Sequence, residues 1–359
     1  MKLRLPLAIV LGLTACSSHA TLPGASPGSG AKTTAEHGAD SAYSVPIDVS
    51  CTGAPVAERH PWNRPVENGL IARETPRHRG IDVITSIAAD TQHVRGRVAY
   101  GHLDKSLEGE SIMLFACMSG AWRPLRMAIS NDEGIFDLVL TGTERLPLGM
   151  RSLYLVVVGD LTGAQFLALV LAPGTAIAVS DIDGTLTSSE NAYPKSLVSH
   201  ALVKPNDGAP AALRTLKGRG YPLVYVTSRG NRFTQDTRDW LQTNEFPLGP
   251  VRLASSLITL PGNETFEYKC QVLKAFNDDK LVVAIGLGNR ATDQEAYSHS
   301  QCGAPVAANR TFLKMPEFQR EVQPLLDRGL AIGVNSYVDV EPTFAALPAA
   351  SMTESAGAK

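Results

Sequence analysis

Ala176-Ile177-Ala178-Val179-Ser180-Asp181-Ile182-Asp183-Gly184-Thr185 is the stretch that decides how this chain is read. An apolar run of strand character ends abruptly in two carboxylates, a glycine and a hydroxyl. Paired acids repel each other, and a chain keeps them together chiefly where a cation or a phosphate sits between them. At a strand end, Asp181 can attack phosphorus while a bound Mg²⁺ offsets its charge. Asp183, two residues on and leaning the same way, can exchange a proton with the leaving group. Gly184 lets backbone N–H groups approach a phosphate, and Thr185 can bond its oxygens. Asp-x-Asp alone is also a common turn with solvated acids, so its neighbours along the chain matter.

Two further apolar runs end in the same manner. Leu223 to Val226 leads into Thr227-Ser228-Arg229, and Leu281 to Ile285 leads into Gly286-Leu287-Gly288-Asn289-Arg290. Such runs, separated by helix-like segments, predict buried parallel strands. Ala209 to Gly218 is one of those segments, closed by glycine; after the second run, Phe233, Thr237, Trp240 and Leu241 share a helical face. Ligands of open α/β sheets bind beyond the carboxyl ends of the strands. The expected fold is therefore a doubly wound parallel α/β sheet with Asp181, Asp183, Thr227, Asn289 and Asp293 at one edge, a phosphoryl-transfer constellation with a metal site.

In order along the chain, Asp-x-Asp-Gly-Thr, a strand ending in Thr, an isolated Lys and Gly-Asn-x-x-x-Asp resemble the motifs of haloacid-dehalogenase-type (HAD-like) phosphatases. More narrowly, Ser180 to Glu190, Gly220 to Arg229 and Gly288 to Tyr297 resemble the LNS2-type domain of lipins and membrane-associated phosphatidylinositol transfer proteins. The resemblance covers about Gly174 to Val340. It implies Mg²⁺-dependent hydrolysis of phosphatidate to diacylglycerol. It further implies Asp181 as nucleophile and Asp183 as general acid/base, with the Asp183 carbonyl on the metal. Thr227 and Lys269 would face the phosphate with Gly184 and Thr185, and Asn289 and Asp293 would complete the metal shell. Many of these phosphatases have Asp where this chain has Asn289, which leaves open whether Asn289 or Asp293 touches the ion. Arg229 is either a phosphate or headgroup contact or a surface charge. A neighbouring carboxylate is expected to raise the pKa of Asp183, which suits a proton donor. The eight histidines show no metal-binding spacing, and no Gly-x-Ser-x-Gly or Walker-type loop occurs.

The chain opens with Lys2, Arg4 and an apolar core from Leu5 to Leu13, too short to span a bilayer. Leu13-Thr14-Ala15-Cys16 resembles a bacterial lipobox, which implies cleavage, acylation of Cys16 and an exported, lipid-anchored protein of the cell envelope, on the outer membrane where the organism has two. Residues 17–46 are rich in Ser, Gly, Ala, Thr and Pro and read as a flexible tether; residues 345–359 read as a frayed tail. Removing Lys2 and Arg4 leaves 31 basic against 35 acidic residues, a net charge of −4. So weak an imbalance offers no argument for nucleic acid, and no protein partner is indicated. An exported chain permits disulfides, and Cys51–Cys117 and Cys270–Cys302 each keep a pair within one domain.

Two domains are expected at this length. Between Val94 and Leu171, short β-rich runs alternate with turns such as Asn131-Asp132-Glu133-Gly134, which predicts an antiparallel sandwich over 47–172 ahead of a phosphatase domain over 173–344. It resembles the immunoglobulin-like region that precedes the catalytic domain in bacterial lipin-type proteins. Arg77, His78 and Arg79 either lean toward the active site or face water, and water is the expectation. The function expected is phosphatidate phosphatase at a membrane surface. Its rivals are a catalytically silent phosphatidate-binding module and a phosphatase for soluble monoesters.

Overall fold

A computed structural model describes residues 44–190, 203–256 and 262–350. Cys16, the signal segment and most of the proposed tether lie outside them. The first half forms strands β1 (Ile47–Asp48), β2 (Arg79–Ile81), β3 (Val83–Ser86), β4 (Thr91–Arg97), β5 (Ala99–Tyr100), β6 (Lys105–Ser106), β7 (Ser111–Met118), β8 (Ala121–Ile129), β9 (Ile135–Thr141), β10 (Gly149–Val157) and β11 (Gly163–Leu171), with a short helix α1 (Glu67–Ile71). One sheet runs β3-β11-β10-β7-β8, with β1 beside β10, and faces a second of order β2-β4-β9. Val94, Phe136 and Leu138 interleave with Leu114, Leu153, Leu155 and Phe166 between them. The sandwich is not wholly antiparallel, because β3 pairs with β11 and β1 with β10 in parallel.

The second half adds β12 (Ala176–Ser180), α2 (Ala209–Gly218), β13 (Leu223–Gly230), α3 (Thr234–Thr243), β14 (Val251–Ala254), α4 (Gly262–Asp278), β15 (Val282–Gly288), α5 (Ala291–Ser298), β16 (Thr311–Lys314), α6 (Gln319–Asp327), β17 (Ile332–Val334) and α7 (Tyr337–Ala345). All six strands are parallel, in the order β14-β13-β12-β15-β16-β17. The chain starts in the middle, winds outward to β14, then returns to β15 and winds the other way. The order reverses between β12 and β15, where side chains past the strand ends face a crevice rather than a crossover. Ala209, Ala212, Leu213 and Leu216 of α2 recur at helical spacing and are buried, with Pro210 in the first turn. They pack with α7 on one face of the sheet, and α4 and α5 cover the other.

Strands β10 and β11 are apolar on both faces for a tertiary reason. Their inner face fills the sandwich, while Met150, Leu169 and Leu171 pack against Ile177, Val179, Leu273 and Phe276 of the parallel sheet and its helix. The two halves thus share a core. Polar ties add to it: Asp82, fully buried, pairs with Arg238 at 2.5 Å and accepts from the Val251 amide at 2.7 Å. Contrary to expectation, His78 and Arg79 do not face water. Arg79 pairs with Asp104 at 2.7 Å and donates to Asn231 at 2.9 Å, bridging the halves. Burial pushes the His78 pKa down to about 4. Both expected disulfides form, and Cys270–Cys302 fastens α4 to the turn after α5. The start of the proposed tail is packed rather than frayed: Leu347 and Ala350 are buried, and the Ala350 amide donates to the Arg219 carbonyl at 2.7 Å.

Candidate functional site

Past the end of β12 the chain turns sharply through Gly184, whose φ of +70° is left-handed. A Cβ there would lie 2.1 Å from the Asn289 amide nitrogen and 2.8 Å from Glu190, so only glycine lets these groups close over the turn. The Gly184 amide donates to the Thr187 hydroxyl at 2.8 Å, which fixes the turn from within.

Asp181, buried, sits at the centre. One of its oxygens accepts from Lys269 Nζ at 2.8 Å and the other from the Thr185 hydroxyl at 2.9 Å. That hydroxyl also lies 3.2 Å from the Asn289 side-chain oxygen. Lys269 reaches Asp181 from α4 and is held from behind by Asp293, to whose carboxylate it also donates. The other Asp293 oxygen accepts from the Asn289 and Arg290 amides at 2.9 and 3.0 Å, capping α5. Burial raises the pKa of Asp181 to about 6, with Asp293 and Asp183 adding repulsion, while Lys269 opposes the rise. Lys269 itself is buried, which disfavours its charge, but the two carboxylates win and hold its pKa well above the ordinary value.

Asp183 belongs to a second cluster. Arg229 grips it bidentately, Nε at 2.8 Å and a terminal nitrogen at 2.7 Å, and the Thr227 hydroxyl lies 3.2 Å from it. Arg229 is fully buried and braced by Thr237 at 3.0 Å. The structure therefore corrects the headgroup assignment of Arg229: its guanidinium is spent on Asp183. Asp183 thus sits in a charge-assisted, bidentate pair with Arg229. Thr185 and Thr227, expected on phosphate, direct their hydroxyls to Asp181 and Asp183 here.

The fold thus brings together Asp181, Asp183, Gly184, Thr185, Thr227, Lys269, Asn289 and Asp293, as the sequence led us to expect. One member was missed. Glu190 accepts from the Asn289 amide at 2.8 Å, and burial together with the Asp181 charge lifts its pKa to about 7. Its signal was an acid ending the hydroxyl-rich run Thr185-Leu186-Thr187-Ser188-Ser189, nine residues from Asp181. Only the turn at Gly184 shows that it folds back. Among the described residues no three of His, Cys, Asp and Glu converge as a ready-made metal cluster. The hard oxygens brought near one another are those of Asp181 and Asn289, with a partly buried, raised-pKa carboxyl beside them, and that donor chemistry fits Mg²⁺.

Two family models match the chain: the β-sandwich domain of PITM 1-3 over residues 76–170 and the LNS2 domain of PITM 1-3 over residues 178–313. The chain carries the LNS2 and β-sandwich domains of these models, and the relatives it matches are PITM/RdgB proteins. The LNS2 match contains every residue of the two clusters, and the order of sandwich and LNS2 domain agrees with the fold. Human membrane-associated phosphatidylinositol transfer protein 3 is 30% identical over 58% of this chain and 21% of its own length. The mouse protein 2 of the same name is 29% identical over 61% of this chain and 16% of its own. The Drosophila melanogaster protein retinal degeneration B is 27% identical over 72% of this chain and 21% of its own. The chain spans about a fifth or less of these relatives. A solved ferredoxin-NADP+ reductase from Plasmodium falciparum aligns at 12% identity over 74% of this chain and 97% of that one, but its TM-score of 0.16 carries no argument. No helix among the described residues is long and apolar enough to cross a membrane.

Proposed function

We propose that this LNS2-type protein is a Mg²⁺-dependent phosphatase of HAD-like architecture acting on phosphatidate at a membrane surface, to which acylation of Cys16 would anchor an exported chain. The observation that carries it is Asp181: a buried carboxylate at a switch point, aimed by Thr185 and charge-balanced by Lys269. In the first step, ionised Asp181 attacks phosphorus in line. An aspartyl O–P bond forms, and the bond from phosphorus to the glycerol oxygen breaks. Lys269 offsets negative charge at the reacting centre, and Asp293 keeps it aimed. Asp183 must slip the Arg229 grip and take up a proton from solvent before it can protonate the departing alkoxide. It then takes a proton from the water that releases phosphate and restores Asp181. Asp181, Asn289 and the Asp183 carbonyl would hold Mg²⁺, and the chemistry that ion supplies is neutralisation of the phosphoryl oxygens. Gly184 and Thr227 would line the phosphate position.

A second reading has its own support. With Asp183 locked by Arg229, the same pocket suits a module that binds phosphatidate without turning it over, and two of the relatives above are named as phosphatidylinositol transfer proteins. Phosphate release from phosphatidate vesicles and from a soluble monoester, with and without Mg²⁺, separates the readings. Mg²⁺-dependent release from vesicles supports the phosphatase. Vesicle binding without release supports the module, and release only from the soluble ester points to a phosphatase of soluble substrates.

A further inference from the structure

A cavity of about 710 Å³ opens between the sandwich and strand β14 at the edge of the parallel sheet, and none of Asp181, Asp183, Lys269, Asn289 and Asp293 lines it. Its walls include Ile81 from the sandwich, Leu253 from β14, and Val272 and Phe276 from α4. This is the size of a small-molecule pocket, with an apolar wall beside a polar lining that includes Arg79, Arg95, Arg97 and Arg252. Two polar groups stand out. The Tyr268 hydroxyl is buried and has no hydrogen-bond partner among the described residues. Arg252, partly buried, forms no hydrogen bond or ion pair among them, although burial pulls its pKa down.

The neighbouring arginines are different, because each has its acid. Arg79 and Arg97 pair with Asp104, and Arg95 pairs with Asp137. The acids whose charge reaches Arg252 are engaged elsewhere, Asp82 with Arg238 and Asp279 with Thr85. Asp132 and Glu133 lie on the rim in an exposed turn. A buried hydroxyl and a guanidinium without partners among the described residues, beside an apolar wall, are the complement of an anion carried on a hydrocarbon body.

We propose that this cavity binds an amphiphilic anion, an alkyl chain ending in a carboxylate or a phosphate. Arg252 and the Tyr268 hydroxyl hold the head, and Ile81, Leu253, Val272 and Phe276 hold the chain. The site is separate from the Asp181 cluster and does not depend on whether that cluster turns over substrate.

Calorimetric titration of the full chain with decanoate, decyl phosphate, decanol and decyltrimethylammonium tests it. One or both anions bind saturably, with the neutral and cationic amphiphiles at least about tenfold weaker. Tighter binding of decanoate identifies a free fatty acid as the source, and tighter binding of decyl phosphate a phosphorylated lipid. Arg252→Gln weakens the anion at least about tenfold, and Tyr268→Phe weakens it severalfold, so Tyr268→Phe reports even if the arginine variant fails to fold. Asp181→Asn leaves decanoate binding unchanged. Equal binding of decanol and the anions, no effect of either cavity variant, or loss of binding in Asp181→Asn overturns the proposal.

Discussion

Arg229 holds Asp183 through two hydrogen bonds of 2.7 and 2.8 Å, with the guanidinium fully buried. Breaking a buried pair by removing one partner strands the other charge, which costs about 3–5 kcal/mol. Arg229→Gln should therefore lose stability of that order in urea unfolding, and adding Asp183→Asn should recover part of it. Losses that simply add would show that the two side chains are not energetically coupled.

The role of Asp183 as proton donor has a separate signature. An alkoxide leaving group needs a proton, whereas nitrophenolate leaves without one. Asp183→Asn should slow phosphatidate hydrolysis by about 10²–10⁴-fold and spare nitrophenyl phosphate by comparison. Equal losses on both substrates would remove Asp183 from leaving-group chemistry.

Asp181→Asn keeps size and the Thr185 hydrogen bond but removes the nucleophile. Turnover should fall by at least about a thousandfold while the circular dichroism spectrum and melting temperature stay close to wild type. Lys269 keeps Asp293 as a partner, so the fold has no reason to open. Substantial residual phosphatase activity would place the nucleophile elsewhere.

Asn289 and Asp293 should part company in a Mg²⁺ titration. Both Asp293 oxygens are occupied, by Lys269 and by two amides, whereas among the described residues the Asn289 side-chain oxygen meets the Thr185 hydroxyl alone. Asn289→Ala should raise the half-saturating Mg²⁺ concentration about tenfold with little loss of stability. Asp293→Ala should instead lower the melting temperature and the maximal rate, because it frees Lys269 and uncaps α5. Unchanged Mg²⁺ dependence in both would misplace the metal.

Acidity offers a further handle. Folding raises Asp181 to about 6 and Glu190 to about 7, both mainly by burial. A carboxyl whose pKa is raised on folding stabilises the protein below its unfolded pKa, and that contribution is lost as pH climbs through the folded value. The metal-free melting temperature should thus decline from about pH 5 to 7.5, and Glu190→Gln should flatten the upper part of the decline. Mg²⁺ should stabilise more at pH 7.5 than at pH 5. Equal Mg²⁺ stabilisation at the two pH values would contradict metal binding by an ionised Asp181.

Much of this was legible in one dimension. Strand-like runs ending in Asp181, Thr227 and Asn289 place those residues at one sheet edge. Parallel strands buried on both faces must be continuously apolar, and all of them deliver their C-terminal residues to the same side. Helix α2 was read to its last residue, since its apolar spacing and closing glycine are local signals. The outlying strands β14, β16 and β17 carry no such signal in the sequence. They are short, and β14 mixes Arg252 into its apolar residues because one side of it borders a cavity.

The sequence by itself determined which chemical groups gather, since backbone connectivity and strand burial leave them nowhere else to go. Only the tertiary structure decided what each group holds. Whether Arg229 faces a headgroup or Asp183, whether Asp293 faces solvent or Lys269, and whether Glu190 returns to Asn289 all depend on side chains meeting across distant segments. It alone decided, too, that the sandwich and the parallel sheet share a core, because the apolar outer face of β10 and β11 reads the same whether its cover is solvent, a partner or the chain's own second half.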